Sequence, residues 1–172
     1  MRPSPSASAT ERIPTSSVRA ASASIRGALW LTLGGWIGAW LLFGIVVAPT
    51  AFRVLPSAQV AGSLIGPVLE ALQLFGSAAG LLLALIAWLL GRGVARWALP
   101  LAMSAACLYS QFGLSAEMAE IQDGAFGPQG SEALAARFNQ LHRLSVSIFL
   151  CVGICALALV GLHARDDTAD RR

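Results

Sequence analysis

Two histidines, three cysteines and nine carboxylates are all that this 172-residue chain has for acid–base or metal chemistry. His142 lies in the run Phe138-Asn139-Gln140-Leu141-His142-Arg143-Leu144-Ser145-Val146. Helical periodicity places Phe138, Leu141 and Ser145 on one face and Asn139, His142 and Val146 on the next, and both faces are expected to turn into a bundle. There an imidazole could relay protons or bind a metal; a hydrogen-bonded packing role is the plainer reading. Glu70 opposes the positive end of a helix dipole in the first turn of an apolar segment, and it could also bind a cation or pair with Arg53. Gln73 sits one turn deeper, while Tyr109 and Gln111 can hydrogen-bond between helices. Cys151 and Cys155 share a helix face at i, i+4, the spacing of a soft-metal pair, yet neither a histidine nor a third cysteine completes the set. Cys107 reads as a core thiol, and His163 as an exposed residue at the other end of its helix.

Several chemistries are missing from this inventory. The sequence holds no Gly-x-Ser-x-Gly elbow, Walker loop, His-Glu-x-x-His or Cys-x-x-Cys, and Ser145 beside His142 lacks an orienting acid. A single histidine at one end offers no pair of axial haem ligands. The chain is therefore expected to be no enzyme, with no cofactor, no catalytic residue and no metal site.

The elements that must position these groups are read from hydropathy. Hydrophobic residues make up 56% of the chain and charged ones 12%, far from the roughly one-quarter charge of soluble domains. Four uncharged runs, 28–47, 71–90, 97–114 and 146–162, approach the roughly 20 residues that a helix needs to cross a hydrocarbon core. They lack the alternation of barrel strands, and lipid leaves only helices or closed barrels as backbone solutions. The expected fold is thus all-α, an integral membrane four-helix bundle spanning 28–162. Flanking it are an arm, 1–27, read as disordered, and a cytoplasmic tail, 163–172. The Ser-, Ala- and Arg-rich arm also has the composition of a transit peptide or the start of a signal peptide, with an uncleaved first span preferred. Residues 91–96 make a tight turn between antiparallel neighbours. Residues 48–70 read as a broken loop, with Pro67 opening the second helix. Within 115–145, Ser115–Asp123 prolongs the third helix, 124–130 breaks it, and Ser131 caps the next.

All twelve basic residues are arginines. Placing the N-terminus in the cytoplasm puts nine of them inside and three (Arg53, Arg137, Arg143) outside, so both termini are expected in the cytoplasm. The partner is a lipid bilayer, the inner or plasma membrane, with an organellar membrane as the alternative. No arginine-rich face suggests nucleic acid. Gly34 and Gly38, and again Gly76 and Gly80, form GxxxG pairs suited to close helix packing, within the chain or in a homo-oligomer. Under this topology Pro49, Phe52, Arg53, Glu70, Gln73, Gln111, Asn139, His142 and Ser145 gather near the outer helix ends. They are expected to form one outward-facing polar cluster, because ionisable groups near membrane depth are costly and often functional.

Two segments carry a resemblance. Trp36-Ile37-Gly38 followed by Ala48-Pro49-Thr50-Ala51-Phe52, together with Phe138 to Val146, resembles the transmembrane protein 205-like family and its Phe-x-x-Leu-His-x-x-Ser signature. The likeness runs from Leu29 to Leu162; Ile148 and Phe149 stand where that family carries an asparagine. The resemblance implies a four-helix membrane protein without assigned enzymatic activity and hints at export or trafficking. The resulting expectation is an accessory of transport or stress resistance, with a small metal-ion or proton transporter using Glu70 and His142 as the alternative.

Overall fold

Each of the four uncharged runs is helical in the computed structural model, which describes residues 15–169. The helices join into four rods. The first passes without a break from α1 (Thr15–Leu41) through a π-helical turn (Leu42–Val47) into α2 (Ala48–Val54). The second is α3 (Ala58–Leu89). The third runs from α4 (Val94–Tyr109) through a second π-helical turn (Ser110–Ser115) into α5 (Ala116–Phe126), and the fourth is α6 (Glu132–Ala169). No strand occurs among the described residues. Neighbours pack in a ring, α1 on α3, α3 on α4, α4 on α6 and α6 back on α1, which is an up-and-down four-helix bundle.

The core is the inner stripe of each rod. Leu29, Leu33, Trp36, Trp40 and Phe43 recur at helical spacing along the first rod, facing Leu72, Ala79, Leu83 and Ile86 of α3 and Val152, Ala156 and Leu159 of α6. The outer stripe is equally apolar: Leu31 is 79% exposed, Ile45 68% and Ile154 68%. Exposed apolar surface on this scale belongs against lipid or another protein. Three helical segments, 20–54, 59–89 and 132–169, are long and apolar enough to cross a membrane.

The third rod differs from the expectation of four such spans. Its uncharged run is diluted by Pro100, Ser104, Ser110 and Gln111, so it is not among the three. It nevertheless traverses the bundle, since it starts at the α3–α4 turn and ends at the start of α6, at opposite ends of the molecule.

Three expected boundaries are corrected. The arm 1–27 is shortened, because α1 begins at Thr15; residues 1–14 lie outside the described residues. The tail 163–172 is helical through Ala169, and residues 170–172 lie outside the described residues. Most of the broken loop 48–70 is helix, interrupted only between Val54 and Ala58. Pro49 is tolerated at the start of α2 because the wide π-helical turn before it absorbs the missing N–H and the ring's bulk. Pro67 lies inside α3 on its exposed side. Ala51, Ala61 and Ile65 are buried in one contiguous core, and that packing outweighs the weak propensity of Gly62 and Gly66.

The true start of α3 is Pro56-Ser57: the Ser57 hydroxyl accepts a hydrogen bond from the Val60 N–H at 3.2 Å. Ser57→Ala is expected to cost about 1 kcal/mol, read as a lower unfolding midpoint in detergent. At the other end, Gly91 adopts φ +64°, with Arg92 N–H bonding to the Ala87 carbonyl and Gly91 N–H to that of Trp88. This Schellman closure makes the tight turn into α4.

Candidate functional site

Buried polar groups collect in two places, a seam between the rods and a clasp at one end. The seam begins at Gln73 on α3, whose Nε2 donates to Ser110 Oγ at 2.9 Å, and Ser110 Oγ lies 3.3 Å from Ser145 Oγ of α6. About one turn inward, Ser77 Oγ donates to the Gln73 carbonyl (3.0 Å), and Ser104 Oγ of α4 donates to the Ser77 carbonyl (2.9 Å). All five side chains are buried, and they tie α3, α4 and α6 in one register. The π-helical turn beginning at Ser110 widens the third rod at the point where that hydroxyl meets two neighbouring helices.

Glycines bring α3 and α4 close enough for this. A Cβ on Gly80 would overlap Ser104 Oγ and lie 2.7 Å from the Pro100 carbonyl oxygen, and one on Gly76 would lie 3.0 Å from Trp36 Nε1. Gly76 thus leaves room for Trp36 and Cys107, and Gly80 for Ser104 and the Pro100 carbonyl. Gly34 and Gly38 are not used inside the chain, since a Cβ on either meets nothing within 4 Å. Trp40 is part of the same interior: it stacks on Phe149 at 4.2 Å and donates from Nε1 to the Phe149 carbonyl.

The clasp joins the other ends of the rods. Asp167 of α6 accepts a hydrogen bond from Trp30 Nε1 at 2.8 Å and another from Arg92 Nη2. Arg26 of α1 lies 3.8 Å from the same carboxylate. Arg96 grips Asp166 through Nε and Nη2, at 3.1 and 2.8 Å. Burial alone would raise the Asp167 carboxyl; the Trp30 and Arg92 hydrogen bonds and the Arg92 and Arg26 charges outweigh it and hold it below the usual carboxylate range. His163, expected at the surface, is fully buried. Its Nδ1 lies 2.6 Å from Arg92 Nη1, which can only donate, so the imidazole is neutral with its proton on Nε2. That Nε2 has no partner among the described residues. The α6 helix continues past Leu162 and turns His163 onto the same inner stripe as Ala156 and Leu159, which is why it is buried.

The single outward-facing cluster divides in two. Gln73 and Ser145 point inward and join through Ser110, a residue missed because a lone serine in an apolar run carries no sequence signal. Gln111 is half-buried beside them. Pro49, Phe52, Arg53, Glu70, Asn139 and His142 are exposed. Glu70 and Arg53 form no ion pair among the described residues, and the His142 ring stacks parallel to Phe138 at 6.5 Å. Of the two α6 faces, only that of Leu141 and Ser145 turns inward, since the ring packing leaves α6 one narrow inner stripe. On the same outer side, Arg137 pairs with Glu117 at 2.8 Å, fastening α5 to α6. No group of three or more His, Cys, Asp or Glu suited to a metal exists among the described residues.

A ring of antiparallel apolar rods, polar only along a thin internal seam and at its ends, defines a polytopic helical membrane architecture. The chain belongs to the family described as domain of unknown function DUF4149, which matches residues 31–126, more than half of its length. The match takes in the Trp36–Phe52 segment and ends before the Phe138–Val146 motif, and it does not carry the transmembrane protein 205-like name. No curated protein matches the chain, and no solved structure does.

Proposed function

We propose that this protein is a non-enzymatic, multi-pass inner-membrane protein that serves transport or stress resistance as an accessory rather than as the conduit itself. The observation behind this reading is that the buried seam groups are engaged within the seam, the Gln73 amide on the Ser110 hydroxyl and the Ser77 and Ser104 hydroxyls on backbone carbonyls, while the charged side chains sit at the two ends of the bundle. The four central runs carry no formal charge, so no relay of carboxylates or imidazoles joins the outer end to the clasp. The likeness to the transmembrane protein 205-like family favours the same assignment. A metal-ion or proton transporter working through Glu70 and His142 is the second reading, favoured by the exposure of both side chains. Flux in proteoliposomes separates the two. The accessory reading expects proton and divalent-ion flux at the level of empty vesicles, unchanged by His142→Ala; flux abolished by that substitution supports the transporter.

The accessory is proposed to act as a homo-oligomer through the outward Gly34 and Gly38. Gly34→Leu with Gly38→Leu is expected to leave the unfolding midpoint of the monomer in place, because nothing in the chain occupies that space. The cross-linked dimer fraction in native membranes should fall several-fold. Dimer retained at the wild-type level would move the contact elsewhere.

A further inference from the structure

Of the two thiols of α6, Cys151 lies on the outer surface and Cys155 packs against the edge of the core, both apart from the hydrogen bonds of the seam and the clasp. Cys151 is exposed, Cys155 is half-buried, and both are free. One helical turn separates them, which sets their Cβ atoms about 5–6 Å apart, and the thiols are close enough to act on one another electrostatically. They fall near the middle of the uncharged 146–162 run, so their solvent is hydrocarbon. No carboxylate, imidazole or third thiol among the described residues joins them to make a group of three.

We propose that Cys151 and Cys155 form a two-coordinate site for a soft divalent metal ion of the mercury(II) class, taken up from the bilayer as a neutral halide complex. Softness selects thiolate as the ligand, and two donors suit only an ion content with two. Zinc would need four ligands. Charge decides among the remaining ions. Two thiolates with a divalent cation make a neutral complex, whereas a monovalent ion such as copper(I) or silver(I) would leave a net negative charge in hydrocarbon, where an unpaired charge is expensive. The spacing suits it: thiols one turn apart on the same helix face can converge on a single ion. The exchange involves no redox change. Two S–H bonds and two metal–chloride bonds break, two metal–sulfur bonds form, and two protons leave with two chlorides. Cys107, buried and alone, cannot make this chelate.

The test uses full-length protein in lipid nanodiscs, one equivalent of mercuric chloride, and intact mass followed by fragmentation. The chelate adds one mercury atom and removes two hydrogens, located on the fragment holding Cys151 and Cys155. Cys151→Ser and Cys155→Ser should each give instead a chloromercury adduct with one hydrogen lost. Competing glutathione should strip either variant at a concentration about a hundredfold lower than wild type requires, the loss expected when a second tethered donor is removed. A single-thiol adduct on wild type, mercury located on Cys107, or equal resistance of wild type and Cys155→Ser to glutathione would overturn the proposal. If a variant fails to fold, the mass and location of the wild-type adduct decide the matter alone.

Discussion

Gly80→Val will unfold this bundle more readily than any substitution on its outer face, by about 3 kcal/mol. The branched side chain would have to displace both Ser104 Oγ and the Pro100 carbonyl oxygen, and the second of these is backbone. Relief requires α3 and α4 to separate, which stretches the Ser104–Ser77 and Gln73–Ser110 hydrogen bonds on either side. Gly34→Val is the matched control, since the same side chain there meets open space. Reversible unfolding in mixed bicelles, followed by circular dichroism, should show the first midpoint well below wild type and the second beside it. Equal midpoints for the two variants would mean that α3 and α4 do not pack through Gly80.

Asp167→Ala is expected to cost about 2 kcal/mol, less than breaking a fully buried ion pair because the carboxylate keeps some exposure. The Arg92 side chain is only 6% exposed and would keep its charge without that counter-ion, while the Trp30 N–H would lose its acceptor. The effect should couple the chain's ends: limited proteolysis is expected to reach α1 near Arg26 first, because the carboxylate joins α1, α6 and the α3–α4 turn. Arg92→Met combined with Asp167→Leu should recover part of the loss, since it removes the guanidinium that the single variant strands, while the Trp30 N–H still lacks its acceptor. Acid should act in the same direction. The carboxyl is held below its ordinary value in the folded protein, so its contribution is complete above the unfolded pKa and is lost as pH falls through the depressed folded one. A titration that stabilises the wild type towards low pH, and does so equally in Asp167→Ala, would contradict this account of the clasp.

Hydropathy makes the rods legible, because an uncharged run of about 20 residues is the length and composition that a helix in hydrocarbon requires. Helix ends are harder to read. Pro49 and Pro67 look like breaks by local propensity, yet a π-helical turn accommodates the first and core packing around Ala61 and Ile65 carries α3 past the second. The Ser57 cap is present as Pro56-Ser57 but hidden among stronger Gly and Pro signals. Gln73 and Ser145 stand out as polar residues at helical spacing, whereas Ser110 and Ser104 gain meaning only once α4 is laid on α3. Glu70 and His142 are both exposed while Gln73 and Ser145 are buried, because a residue's depth along the bundle does not fix whether its side of the helix turns inward. His163 is misjudged because the hydrophobic run ends one residue earlier, and nothing local shows that Asp166 and Asp167 turn back to meet Arg92 and Arg96.

A bilayer-spanning α3 puts the Arg92 turn on one side of the membrane and Ser57 on the other. In a cysteine-free background, single cysteines introduced as Ser57→Cys, Ser131→Cys and Gly93→Cys can be probed with a membrane-impermeant maleimide on intact cells. Labelling at the first two, and at Gly93→Cys only after the membrane is opened, is the predicted outcome. Gly93→Cys labelled as fast as Ser57→Cys from the same side would contradict it.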